Sequence, residues 1–178
     1  MSALIVSATR TEAAHVPADL PLLVTGVGKV AAASAVARAL AADPTIDEIV
    51  NIGSCGALRE GLSGVFEIGR VLNHDLSADA IRALGYDVED WLTLGDAATT
   101  LATGDLFVTD PAVRDRLAQR ADLVDMEGFA IAWAAREAGV RCRLVKHVSD
   151  NADETALDWV SAVDRSARDL AGWLVDHL

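Results

Sequence analysis

The chain has 178 residues, 52% of them hydrophobic and 24% charged, a balance that excludes a disordered chain and provides for one well-filled core. Its formal charge of −12 comes from 15 Lys and Arg against 27 Asp and Glu, and no basic stripe interrupts it, so nucleic acid is excluded as a partner. No basic leader opens the chain, no stretch reaches the ~20 apolar residues of a membrane span, and Cys55 and Cys142 match no disulfide or metal spacing; a cytoplasmic protein without membrane contact is expected.

Short Val/Ile/Leu runs alternate with Ala-rich helical stretches, the pattern of a mainly parallel sheet covered on both faces. Strands are expected at Leu4–Ser7, Leu22–Thr25, Glu48–Ile52, Phe66–Leu72, Thr100–Ala102, Leu123–Asp125 and Cys142–Val148. Lys29–Ala41 predicts a helix stopped by Asp43-Pro44. Pro111–Arg120 predicts a second, with Asp110 as N-cap and proline in the first turn. Glu127–Ala138 predicts a third, ended by Gly139. The last helix is expected from about Thr155 to Asp176, with Leu157, Val160, Val163, Ala167, Leu170, Leu174 and Val175 on its apolar stripe. Asn73–Thr99 shows no sustained period and reads as a loop with a short helix near Ser77–Leu84. Its single His74 among several aspartates matches no usual ligand set, so no metal is expected. The fold class is therefore α/β, a three-layer arrangement with a mainly parallel twisted sheet, and 1–178 reads as a single domain.

Three acids stand at or just beyond the ends of apolar, strand-like runs. Glu12 comes after the opening strand, Glu127 sits in Val124-Asp125-Met126-Glu127-Gly128, and Asp150 closes the strand Leu144–Ser149. Ligands of open α/β sheets bind outside the carboxyl ends of the strands, so acids far apart in sequence can meet in one cleft. Asp and Glu also start helices for a purely local reason, by satisfying free N–H groups, and that reading stands beside the first.

Gly26-Val27-Gly28-Lys29-Val30-Ala31 meets the outline of a dinucleotide-binding turn, but the next strand ends in Asn51 rather than in a ribose-binding acid. Neither is it a phosphate-binding P-loop, since the four-residue spacer and the Ser or Thr after Lys29 are missing. Gly26 reads as a tight turn, with Gly28 and Lys29 as possible site-edge residues. Asn51-Ile52-Gly53-Ser54-Cys55-Gly56-Ala57 reads as a strand ending in a small-residue turn that admits a ligand close to the backbone. It is not a serine-nucleophile elbow, and of the four histidines only His147 falls in a strand near the carboxyl edge.

Taken in order, Gly26-Val27-Gly28-Lys29, Asn51-Ile52-Gly53-Ser54-Cys55-Gly56, Thr103-Gly104-Asp105-Leu106-Phe107, Asp125-Met126-Glu127-Gly128 and Val148-Ser149-Asp150 resemble the nucleoside phosphorylase/nucleosidase superfamily. Within it the chain is most similar to the 5'-methylthioadenosine/S-adenosylhomocysteine nucleosidases and the futalosine hydrolases. The resemblance implies a nucleoside phosphorylase-like fold and hydrolysis of the N-glycosidic bond of a purine nucleoside without a cofactor. It further implies that Asp150 is the general acid at N7 of the purine and that Glu12 deprotonates the attacking water, which Ser54 helps to hold. Glu127 would accept from the ribose hydroxyls, with Asp125 beside it in the same motif. Met126 would pack beneath the sugar, Phe107 would stack on the base, and the backbone of Phe107 and Val108 would read its edge.

Related phosphorylases usually carry arginine at the position of Asn51, and Glu12 would repel a phosphate dianion, so water is the expected nucleophile. A phosphate-dependent purine nucleoside phosphorylase and a non-catalytic nucleoside-binding protein are the alternatives, with a nicotinamide oxidoreductase last. The chain is shorter than its usual relatives between Tyr86 and Thr100, where they carry an extra helix and part of the pocket wall. A homodimer is implied, with Trp91, Trp133 or the Asn73–Thr99 loop as candidate contacts.

Overall fold

The computed structural model describes residues 2–153, 156 and 159–178, and of Trp159, Val160 and Ser161 the backbone alone. Nine strands form one sheet: β1 (Ala3–Ser7), β2 (Leu22–Val24), β3 (Glu48–Ala57), β4 (Val65–Glu67), β5 (Arg70–Asn73), β6 (Trp91–Thr93), β7 (Thr100–Thr103), β8 (Leu123–Asp125) and β9 (Arg141–Asp150). The helices are α1 (Lys29–Ala42), α2 (Ala78–Ala83), α3 (Pro111–Leu117), α4 (Gly128–Glu137) and α5 (Trp159–His177).

The main path of the sheet runs β2-β1-β3-β8-β7-β5-β6, with β9 on β3 and β4 on β9. Pairings of β1 with β2 and β3, of β3 with β9, and of β7 with β5 and β8 are parallel; β3–β8, β4–β9 and β5–β6 are antiparallel. The sheet is thus mainly parallel, as the alternating pattern predicts. β3 is its pivot: it lies between β1 and β9 for most of its length, then its last residues, Gly56 and Ala57, pair with β8.

Strand alternation sends successive side chains to opposite faces. Leu4, Val6 and Ile49 pack under the alanine-rich faces of α1 and α4, whereas Ile5, Val50, Ile52 and Val145 pack under Leu170 and Leu174 of α5. Farther along, Leu101 turns to Phe129 and Ala132 of α4, and Ala102 turns to Leu117 of α3. Two alanine-rich helices with few long side chains approach each other and the sheet closely, which suits a core poor in aromatics.

Four expectations change. Phe66–Leu72 is two strands rather than one, because the chain turns at Ile68-Gly69 to pass from β9 to β7. A Cβ on Gly69 would lie 1.7 Å from the carbonyl oxygen of Ala97, so only glycine permits that crossing. Asn51–Ala57 does not end in a small-residue turn, since β3 continues to Ala57 with β9 and β8 as partners. Asn73–Thr99 contains the edge strand β6 besides the short helix α2. For the last helix, Val163, Ala167, Leu170 and Leu174 are buried while Val175 is exposed; Thr155 and Leu157 lie outside the described residues.

Candidate active site

The carboxyl ends of β1, β3, β8 and β9 converge on a cavity of about 380 Å³. Glu12, Ser54, Phe107, Val108, Asp125, Met126, Glu127 and Asp150 all line it. Thr9, Val27, Cys55, Leu106, Val124 and Ser149 complete much of the wall.

Glu12 is buried in the turn after β1, and three donors orient its carboxylate. The N–H and Oγ of Ser54 both donate to Oε1, at 2.8 and 2.7 Å, and Thr9 Oγ1 donates to Oε2 at 2.9 Å. The Ser54 N–H is available for this because it belongs to the overhang of β3 beyond the end of β1. Asp150, at the end of β9, accepts from the Ser149 hydroxyl at 2.7 Å and from the Ala152 N–H at 2.9 Å.

The two acids before α4 have different tasks. Asp125 is the helix anchor: Oδ2 accepts the Gly128 N–H at 2.8 Å, and Oδ1 accepts from Thr103 Oγ1 at 2.5 Å. Glu127, the residue preceding α4, makes no side-chain cap. Its Oε1 accepts instead from the Gly28 N–H at 2.7 Å. The local, helix-starting reading of these acids therefore applies to Asp125. Burial, and next the carboxylate of Asp125, push the Glu127 carboxyl up to about 7 against the pull of Lys146 and the Gly28 N–H.

Lys146 is a site residue that the sequence reading misses. It lies on β9 with its ammonium 2.9 Å from Asp125 Oδ2, and both side chains are almost wholly buried. Burial disfavours its charge, but Asp125, Glu127 and Glu12 outweigh burial and hold its pKa above the usual lysine value. The available signal is weak: Lys146 sits in a predicted strand that also carries Arg143 and His147, and nothing in the sequence marks it as the buried one. Thr9 and Thr103, which orient Glu12 and Asp125, carry no signal of their own.

Other candidates lie outside the cavity wall. Gly28 is reached through its N–H, and Lys29 is tied to Asn73, Asp75 and Asp105, pinning the start of α1 to the chain after β5 and after β7. Asp79 and Asp90 of the segment without sustained period pair with Arg82, and Asp90 also with Arg120. Among the described residues no group of three or more His, Cys, Asp or Glu is arranged to hold a metal. His147 faces α5, where its ring bonds Asp169 and Ser166 at 2.9 Å each. Asn51 is buried in the sheet and donates to the Val6 carbonyl at 2.9 Å. Cys55 and Cys142 are unpaired thiols whose pKa burial pushes up.

A mainly parallel α/β sheet with an acid-lined cavity at the carboxyl ends of its strands is the arrangement of a small-molecule site. The chain belongs to the Phosphorylase superfamily, whose family model matches residues 19–90 and 95–178. It is similar to the aminodeoxyfutalosine nucleosidase of Helicobacter pylori (strain ATCC 700392 / 26695), 30% identical over 108 residues that make up 57% of this chain and 47% of that protein. The match thus spans 47% and 36% of the length of two curated relatives. Among solved structures, the H. pylori 5'-methylthioadenosine/S-adenosyl homocysteine nucleosidase has the same fold, with a TM-score of 0.86 at 19% identity over 99% of this chain and 98% of that one. The S-adenosylhomocysteine nucleosidase of Streptococcus pyogenes, in complex with 5-methylthiotubericidin, reaches 0.81 at 26% identity over 100% and 98%.

Proposed function

We propose that the protein hydrolyses the N-glycosidic bond of a purine nucleoside, with a 5'-modified adenosine such as methylthioadenosine or adenosylhomocysteine as its first substrate. The observation that carries this reading is the charge of the cavity wall: Glu12, Asp125, Glu127 and Asp150 line it, and among the described residues no lysine or arginine does. Such a wall favours a sugar gaining oxocarbenium character and disfavours a phosphate dianion. The buried, neutral Asn51 agrees with water as the nucleophile.

In this reading Glu12, held by Thr9 and Ser54, takes a proton from the attacking water. Asp150 protonates N7 so that the base departs neutral, and Glu127 holds the ribose hydroxyls. Met126 packs beneath the sugar, Phe107 stacks on the base, and the backbone at Phe107 and Val108 reads the base edge. Residues 1–178 act as one domain, in the cytoplasm. A homodimer is part of the proposal, because Val27, Leu106 and Phe107 line the cavity and yet stand 58%, 51% and 48% exposed, beside Val30 at 79%. Trp133 is a weaker contact candidate, being stacked on Phe129 and covered by Arg136.

Chromatographic detection of free base from methylthioadenosine, adenosylhomocysteine, adenosine, inosine and futalosine, with and without phosphate, tests the proposal. Release without phosphate is expected. Asp150→Asn and Glu12→Gln should each lower turnover by roughly 10²–10⁴-fold with unchanged circular dichroism. Release only with phosphate would make the protein a phosphorylase, and near-normal turnover in both variants would refute the assigned roles.

A further inference from the structure

Four ionisable groups from three parts of the chain meet at the cavity: Glu12 after β1, Asp125 on β8 and Glu127 before α4 line it, and Lys146 on β9 stands behind them. One ammonium serves three carboxyl groups. Its direct partner is Asp125, whose Oδ2 also accepts from the Gly128 N–H and whose Oδ1 accepts from Thr103. Gly53 lies against this cluster: the position its Cβ would occupy is 3.3 Å from Glu12 Oε1 and 3.4 Å from Lys146 Nζ, which places both charged groups over the same point of β3. The remaining titratable neighbours are His74, which feels the Asp125 carboxylate, Asp150 on the cavity wall, and the thiols of Cys55 on β3 and Cys142 on β9; burial lowers the pKa of the imidazole and raises those of the thiols.

Glu127 is the member whose charge is free to vary. Oε1 accepts from Gly28, and its other oxygen has no protein partner among the described residues. A proton added to that oxygen turns an acceptor into a donor and weakens its hold on a pair of sugar hydroxyls. We propose that Lys146, acting with Asp125, is a positioning residue that sets the charge state of Glu127 and so the strength with which the cavity grips a cis-diol. The cis-diol part rests on the nucleoside reading above; the charge control does not.

The two effects have opposite signs. Removing the cation leaves Glu127 facing two carboxylates and favours its protonated form. Removing the Asp125 charge leaves the ammonium to Glu127 and favours the carboxylate. The experiment follows the Glu127 carboxyl carbon by NMR against pH in the ligand-free protein, assigned with Glu127→Gln. In parallel it measures binding of 5-methylthiotubericidin across the same pH range.

The native protein should titrate Glu127 near 7. Lys146→Met should move the midpoint up and Asp125→Asn should move it down, each by about one pH unit or more, while Lys146→Arg leaves it in place. Probe affinity should fall below the midpoint in every protein. A native midpoint in the ordinary glutamate range would overturn the proposal even if Lys146→Met did not fold, and so would a midpoint indifferent to both substitutions. If the midpoint moves as stated but the probe binds nowhere in the range, the charge control stands and the nucleoside reading falls.

Discussion

At the scale of single residues, the site separates an acid tied into the fold from an acid with an oxygen left open to the cavity. Asp125 and Glu127 are two residues apart and similarly buried, yet Asp125 is paired with a cation and a helix N–H, whereas Glu127 has one backbone donor. That difference has a stability consequence. The folded-state value of Glu127, about 7, lies above its usual 4.5, so its contribution is most favourable below pH 4.5 and is lost as pH rises through 7. Glu127→Gln should therefore stabilise the protein at pH 8 by on the order of 2 kcal/mol and have little effect at pH 4, and on the proposed function it should weaken nucleoside binding. Urea denaturation at both pH values reads this; an equal change at both would mean that the buried charge is not the cause. The order of the acids was legible in the sequence because each ends an apolar run. Which acid does what was not, because Thr103, Gly28 and Lys146 are 22, 99 and 21 positions from their partners.

At the scale of elements, α4 is the helix on which the site depends. It starts directly after the motif that supplies Asp125, Met126 and Glu127, and its first N–H groups are bound by one nearby and one remote side chain. Asp125 takes the Gly128 N–H, and Thr103 Oγ1 takes the Phe129 N–H at 3.0 Å while donating to Asp125. Thr103 is fully buried, so Thr103→Val, which keeps the shape, leaves a donor and a charged acceptor without a partner. A loss of about 2–3 kcal/mol is expected, with a lower melting temperature and reduced binding as the helix start loosens. A melting temperature within a degree of native would show that water replaces the hydroxyl. The helices themselves were readable, since Asp110 caps α3 through the Ala112 N–H at 2.8 Å and Gly139 follows α4 in a left-handed conformation. The crossing at Gly69 and the strand β6 were not readable, because they answer to Ala97 and to β5 rather than to their own periodicity.

For the whole molecule, the apolar residues at the cavity mouth make a prediction of their own. Val30→Asp combined with Leu106→Asp should convert the proposed dimer into a monomer in sedimentation velocity; a native protein that sediments as a monomer at every concentration would remove the dimer from the proposal. Among the described residues no helix is long and apolar enough to cross a membrane. The sequence by itself determined the α/β class, the layering and the set of acids, because burial on both faces of a parallel sheet imposes apolar runs and alanine-rich helices that composition and period reveal. Only the tertiary structure decided that β3 changes partner to reach β8, that Lys146 stands behind three carboxyl groups, and that His147 turns to α5 and away from the cavity. Those facts depend on which remote groups share a buried volume, where a charge must find its partner regardless of distance along the chain.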